Sequence, residues 1–195
     1  MLVNLILIRH GDSFQESGDP SLTGVGIAKS KLLANRLSKL PVSKVYVSSL
    51  NRAFQTFEEY HKLMSNIPFE KTEDLKEIYR VLVGGAKKEG TSSTREPEDK
   101  KRIDSFIKKI SSMNNEETIA IISHGNALRY ILAKFLDSEP RKIGTHIDLA
   151  PASISLISIE KDEVIVKFIN NIEHLTNENS SDSYFFKKKS ENYVA

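Results

Sequence analysis

Four basic side chains able to do chemistry stand just past short apolar runs: Arg9, His10, Arg52 and His124. Ile8-Arg9-His10-Gly11 closes the run that begins at Leu2. Val47-Ser48-Ser49-Leu50-Asn51-Arg52 follows Lys44-Val45-Tyr46, and Ile122-Ser123-His124-Gly125 follows Thr118-Ile119-Ala120-Ile121. A guanidinium is a permanent forked donor that fits phosphate or carboxylate oxygens. An imidazole can act as nucleophile or proton carrier near neutral pH. Two of each in one place suit an anion held beside a nucleophile, and a phosphoryl group with its equatorial oxygens fits that set. Like charges packed together are costly unless an anion lies between them. Gly11 is expected to let the backbone turn tightly against a ligand, and the helix after His124 to add its N-terminal amides.

For these residues to converge, the three runs must be parallel strands of one sheet, because open α/β sheets place ligands outside the strands' carboxyl ends. Near-continuous apolar runs such as Leu2–Ile8 are typical of strands buried on both faces. The intervening segments supply helices. Thr23 offers an N-cap for a helix running to about Leu40, with Leu32, Leu33, Leu37 and Leu40 on its apolar side and Pro41 ending it. Ser49 is the expected cap for a helix over 51–65, with Ala53, Phe54, Phe57, Tyr60, Leu63 and Met64 as its buried stripe. A third strand is expected near Phe69–Thr72, an irregular loop over 73–96, a helix over 97–112 and another over 126–136. Residues 153–159 and 163–169, around the turn Glu160-Lys161-Asp162, read as an antiparallel hairpin at one edge. One domain over 1–175 and a polar tail over 176–195 are expected.

The same motifs resemble the histidine phosphatase superfamily, also called phosphoglycerate mutase-like. Arg9-His10-Gly11 is similar to its signature, Asp19-Pro20-Ser21-Leu22-Thr23-Gly24-Val25-Gly26 to the stretch that follows, and Ser48-Ser49-Leu50-Asn51-Arg52-Ala53-Phe54-Gln55-Thr56 to its second arginine segment. Ser123-His124-Gly125 is similar to its second histidine motif, and Asn170-Asn171-Ile172-Glu173-His174-Leu175 to a segment near the C-terminus of many members. The resemblance implies a three-layer α/β/α sandwich whose mostly parallel central sheet has an antiparallel edge strand. It implies a hydrolase of the histidine acid phosphatase type, a phosphomonoesterase with a phosphohistidine intermediate on His10. Arg9, Arg52 and His124 would hold the phosphoryl oxygens, His124 also counting among the catalytic residues, with no metal and no cofactor. The proton donor to the leaving oxygen falls at Glu77, with Glu73, Asp74 and Glu89 as competitors.

The chain departs from the mutase continuation. Asp12, Ser13, Phe14, Gln15 and Glu16 follow Gly11, there is no Trp, and Lys29 stands where the family often has Gln. The interval from Glu77 to His124 is also short for a mutase. These departures favour a phosphatase over a phosphoglycerate mutase-type phosphotransferase. A non-catalytic phospho-ligand-binding module is the third alternative.

Composition bounds the rest. Among 195 residues, 39% are hydrophobic and 28% charged, as in an ordinary globular domain, and the net charge of +2 gives no reason to expect nucleic acid or a membrane as partner. Without cysteine there is no disulfide, thiolate nucleophile or zinc-thiolate site. The first apolar run is too short for a membrane span and lacks the marks of a leader, so a cytoplasmic location is expected. The expected partner is a small phosphorylated molecule or a phosphoprotein, and a homodimer is left open. Substrate choice is expected from the loop over 78–96, with Arg80, Lys87, Lys88 and Arg95, from the loop over 14–18, and from the tail with Phe185 and Phe186. Lys187 to Lys189 reads as solvated. His61 reads as structural or solvent-facing and His174 as packing, while His146 has no assigned place.

Overall fold

Strand β1 (Leu2–Arg9) divides its apolar side chains between two cores. Successive residues of a strand point to opposite faces, so Val3, Leu5 and Leu7 enter one cluster while Ile6 and Ile8 enter the other. The same alternation recurs in β2 (Lys44–Ser48) and β4 (Glu117–Ser123): Tyr46, Ile119 and Ile121 face one side, and Val45, Val47, Ala120 and Ile122 the other. A computed structural model describes residues 2–176 apart from Ser17, Lys88, Thr91, Ser93, Asn114, Asn115, Lys161 and Asp162. The expected tail beyond Thr176, including Phe185, Phe186 and Lys187 to Lys189, lies outside the described residues, as do Lys88 and two residues of the expected hairpin turn.

The sheet has six strands in the order β3-β2-β4-β1-β5-β6, with β3 at Phe69–Thr72, β5 at Ile154–Glu160 and β6 at Glu163–Asn171. Pairings β1–β4, β2–β4 and β2–β3 are parallel, whereas β5 pairs antiparallel with both β1 and β6. The antiparallel edge is therefore two strands wide. Helices α1 (Gly24–Leu37) and α2 (Asn51–Leu63) pack on one face, burying Leu33, Leu37, Phe57 and Tyr60. Helices α3 (Arg95–Ser111) and α4 (Gly125–Phe135) cover the other with Ile103, Phe106, Ile110, Leu128 and Ile131. The result is the expected three-layer sandwich. Each fully buried Leu, Ile or Phe contributes roughly 1.5–3 kcal/mol, so both layers hold the sheet firmly.

Several local expectations are corrected. Leu32 and Leu63 are exposed, because they fall off the stripes that meet the sheet. Thr23 does cap α1, its hydroxyl accepting from Gly26 N–H at 3.0 Å. Ser49 does not cap α2: the Asp19 carboxylate reaches across from the 11–22 loop and accepts Asn51 N–H at 2.8 and 2.9 Å. The segment expected as an irregular loop begins with two short 3-10 helices, Glu73–Leu75 and Arg80–Val83, and buries Leu75, Ile78, Tyr79 and Val83. A further helix, α5 (Pro140–His146), was unexpected because none of its residues is buried and it carries no apolar stripe. It presses so close to the Arg80–Val83 turn that a Cβ on Gly144 would lie 1.9 Å from the Val83 carbonyl oxygen.

Candidate active site

Parallel pairing brings the predicted residues to one rim. In β1 and β4 Arg9 lies opposite Ser123, and Val47 of β2 lies opposite Ile122. The next residues along two of these strands, His10 and His124, therefore sit side by side with ring centroids 5.0 Å apart. His10 N–H donates to the Ser123 carbonyl at 3.0 Å, while Ala152 N–H reaches the carbonyls of both Arg9 and His10 at 3.1 Å. The nucleophile candidate is thus held by its backbone from β4 on one side and from the turn that precedes β5 on the other.

Side-chain contacts settle the proton on His10. Its Nδ1 lies 2.7 Å from the Gly11 carbonyl, which can only accept, so Nδ1 carries the hydrogen. Nε2 is then a lone pair, and it accepts from Arg52 Nε–H at 3.2 Å. Burial, reinforced by the positive charges of Arg52 and Arg9, pushes the imidazole down to about 3. His10 is therefore neutral near pH 7 with Nε2 available.

His124 is fully buried and its Nε2 lies 2.8 Å from the Ser48 hydroxyl. That hydroxyl accepts Leu50 N–H at 3.2 Å and can give its proton to His124 Nε2. The imidazole hydrogen then belongs on Nδ1, a buried nitrogen with no partner among the described residues. Burial, then His10 and Arg52, hold this ring well below its ordinary value. In the folded site the fixed positive charge resides on Arg9 and Arg52 alone.

Arg9 donates through Nη1 to the Leu149 carbonyl, and its Nε is buried without a partner among the described residues. Arg52 stands near the start of α2, 3.6 Å from Asp19. Burial lowers the pKa of both guanidiniums, and the Glu77 carboxylate opposes that shift in each. Both remain charged at any ordinary pH.

Glu77 sits half-buried against the start of α4. Its Oε1 accepts Ile78 N–H and Ala127 N–H, each at 3.1 Å, and Oε2 takes the longer 3.4 Å contact from Asn126 N–H. These helix amides, expected to face a phosphate, are occupied by the acid instead. Burial raises the carboxyl above its usual range, with the three N–H donors and Arg52 opposing. Among the competitors, Glu73 is exposed and paired with Lys76, and Glu89 is exposed. Asp74 is partly exposed, its backbone N–H going to the Thr72 hydroxyl.

Gly11 plays a different part from the one expected. Its N–H goes to the Thr56 hydroxyl at 3.0 Å, and a Cβ here would meet the Gly26 carbonyl at 2.7 Å and Ser30 Oγ at 2.8 Å. The glycine makes room for α1. Asp12 and Lys29, two departures from the family pattern, form a 2.9 Å ion pair with each other beside this turn. Arg80 and Lys87 are exposed, whereas Arg95 pairs with Asp99 at 3.5 Å. His61 stacks on Phe57, His146 ends α5 in solvent, and His174 is buried between Arg36 and the Ala152 carbonyl. Sequence reasoning gave no role to Ser48 and Thr56, although both stand in the Ser48–Thr56 segment that carries the resemblance, and it did not single out Asp99 or Arg102, ordinary polar residues of a charged helix. Among the described residues no group of three or more His, Cys, Asp or Glu could hold a metal ion, and no helix is long and apolar enough to cross a membrane.

Fold and rim define an α/β sandwich with a buried imidazole pair flanked by two guanidiniums. Residues 5–99 and 96–172 match the histidine phosphatase superfamily (branch 1), and the chain belongs to that family. Phosphoserine phosphatase 1 of Hydrogenobacter thermophilus is 24% identical over 89% of this chain and 95% of its own length. A probable phosphatase of Schizosaccharomyces pombe is 32% identical over a shorter stretch, 42% of this chain and 43% of that protein, so the chain matches less than half of that relative's length. A crystal structure of phosphoserine phosphatase from Entamoeba histolytica, in complex with 3-phosphoglyceric acid, shares the fold with a TM-score of 0.71 at 20% identity, covering 89% of this chain and all of that one.

Proposed function

We propose that this protein is a metal-independent phosphomonoesterase working through a phosphohistidine on His10. The observation that carries this is the neutral, Nδ1-protonated His10 whose Nε2 lone pair lies against Arg52. Arg9, Arg52 and the unpartnered Nδ1–H of His124 supply donors for the phosphoryl oxygens, where charge is redistributed in transfer. His10 Nε2 attacks phosphorus as the P–O bond to the leaving group breaks. Glu77 gives its proton to the departing oxygen; Oε2, with only the long contact from Asn126, is the oxygen that can carry it. Water then attacks the phosphohistidine and loses a proton to the Glu77 carboxylate. Cleavage of the P–N bond releases phosphate and restores both residues. Relatives named phosphoserine phosphatase make a small phosphorylated metabolite the first substrate class to test.

The experiment is hydrolysis of p-nitrophenyl phosphate and phosphoserine, with an alkaline quench and mass spectrometry for the acid-labile phosphohistidine. Label on His10 and complete loss of turnover in His10→Ala are expected. Turnover retained by His10→Ala, or no phosphate released from any monoester by the native protein, would overturn the assignment.

A further inference from the structure

Glu77 stands on a connecting segment between two short helical turns, and a proton donor needs a fixed position to act. One side chain of α3 holds most of that segment. Arg102 Nη1 lies 2.9 Å from the Glu73 carbonyl, 2.9 Å from that of Asp74 and 3.0 Å from that of Lys76. Its two hydrogens serve three acceptors, so at least one is shared. Nη2 points at the Glu77 carbonyl, 3.5 Å away, and pairs with Asp99 Oδ1 at 2.6 Å. Asp99 closes the far side, its Oδ2 accepting Tyr79 N–H at 2.7 Å. Residues 73–79 thus hang on one guanidinium–carboxylate pair three residues apart on a single helix. On the opposite side Ser123 Oγ donates to the Leu75 carbonyl at 2.7 Å.

We infer that Arg102 and Asp99 are positioning residues for proton donation, acting through the backbone of 73–79 to hold the Glu77 carboxyl at the start of α4. This rests on Glu77 being the proton donor. Among the described residues neither side chain hydrogen-bonds Arg9, His10, Arg52 or His124, and Arg102 bears on His124 only through its charge, behind burial, His10 and Arg52. Their loss should therefore largely spare phosphate binding and His10 attack and chiefly impair delivery of the proton. A guanidinium fits because its planar fork can bridge several carbonyls and a carboxylate at once, whereas an ammonium is a point donor.

The leaving group separates these effects. An alkoxide leaving group needs the proton, while 2,4-dinitrophenolate departs without it. The measurement is kcat/KM, which reports the phosphoryl transfer to His10, for glycerol phosphate and for 2,4-dinitrophenyl phosphate. Arg102→Gln and Asp99→Asn are compared with native protein and Glu77→Gln, with melting curves showing that each is folded at the assay temperature. For Arg102→Gln a fall of about tenfold or more with the alkyl ester and less than about threefold with the dinitrophenyl ester is expected, with Asp99→Asn smaller in the same sense. Equal losses on both esters, or none on either, would overturn the inference; if Arg102→Gln is unfolded, Asp99→Asn decides by the same criterion. Glu77→Gln separates the two levels. If it discriminates between the esters and the α3 variants do not, only the positioning roles fall. If it does not discriminate, the proton-donor assignment falls and takes the positioning roles with it.

Discussion

Keeping a buried nucleophilic imidazole neutral has a cost in acid that can be measured without any substrate. His10 is 7% exposed, and burial lowers it from an ordinary 6.5 to about 3. In the unfolded chain the same ring takes a proton as pH falls through about 6.5, but in the folded chain it does not until pH nears 3. Between those values the unfolded state binds more protons, so stability is full above about pH 6.5 and is lost as the pH falls. At pH 5 the unfolded ring is about 1.5 units past its midpoint and the folded ring is still neutral. At about 1.36 kcal/mol per unit, His10 alone then costs about 2 kcal/mol relative to pH 8. His174, lowered by burial and Arg36 to about 4, and His124 act in the same sense, while Glu77, whose carboxyl is raised, acts in the opposite one. Those contributions are common to native protein and His10→Gln and largely cancel in the comparison. Urea unfolding of both at pH 8 and pH 5, in phosphate-free buffers, should show the native protein losing about 2 kcal/mol more than the variant. Equal losses within about 0.5 kcal/mol would mean that folded His10 is already protonated at pH 5, and the neutral-nucleophile argument would fail.

Other perturbations read other parts of the site. Because Glu77 must be protonated to give a proton and burial raises its pKa, kcat/KM for an alkyl phosphate should fall as pH rises through that raised value. Glu77→Gln should flatten this alkaline limb, which a pH–rate profile will show. Ser48→Ala leaves His124 Nε2 buried without its partner and should destabilise the protein by about 1–3 kcal/mol. Its phosphate affinity should weaken as well, checked by urea unfolding and inhibition by inorganic phosphate. Gly26→Ala places a Cβ 2.0 Å from the Asp12 carbonyl oxygen, backbone that cannot yield as a side chain would. A melting temperature lower by several degrees and reduced turnover are expected, since the displaced turn begins at His10.

Much of this protein is set by its sequence alone. The continuous apolar runs at Leu2–Ile8 and Thr118–Ile122 demand strands buried on two faces, and the helical stripes between them demand layers on both sides. The placement of Arg9, His10, Arg52 and His124 at one rim follows from strand polarity, because each stands at or shortly after a strand's carboxyl end. Tertiary structure decided what no local pattern carries. The two imidazoles of the rim are neutral because burial removes the water that would solvate their charge. The α4 amides that a helix start advertises to an anion go to Glu77, and the α2 cap comes from Asp19, 32 residues away, rather than from adjacent Ser49. Gly11 serves the approach of a helix that begins only at Gly24. Arg102 and Asp99 look like any solvated pair on a charged helix until folding lays the backbone of 73–79 across them. Hydrophobic period and strand direction are properties of short segments, whereas protonation, capping and loop anchoring depend on which distant groups the fold brings within hydrogen-bond reach.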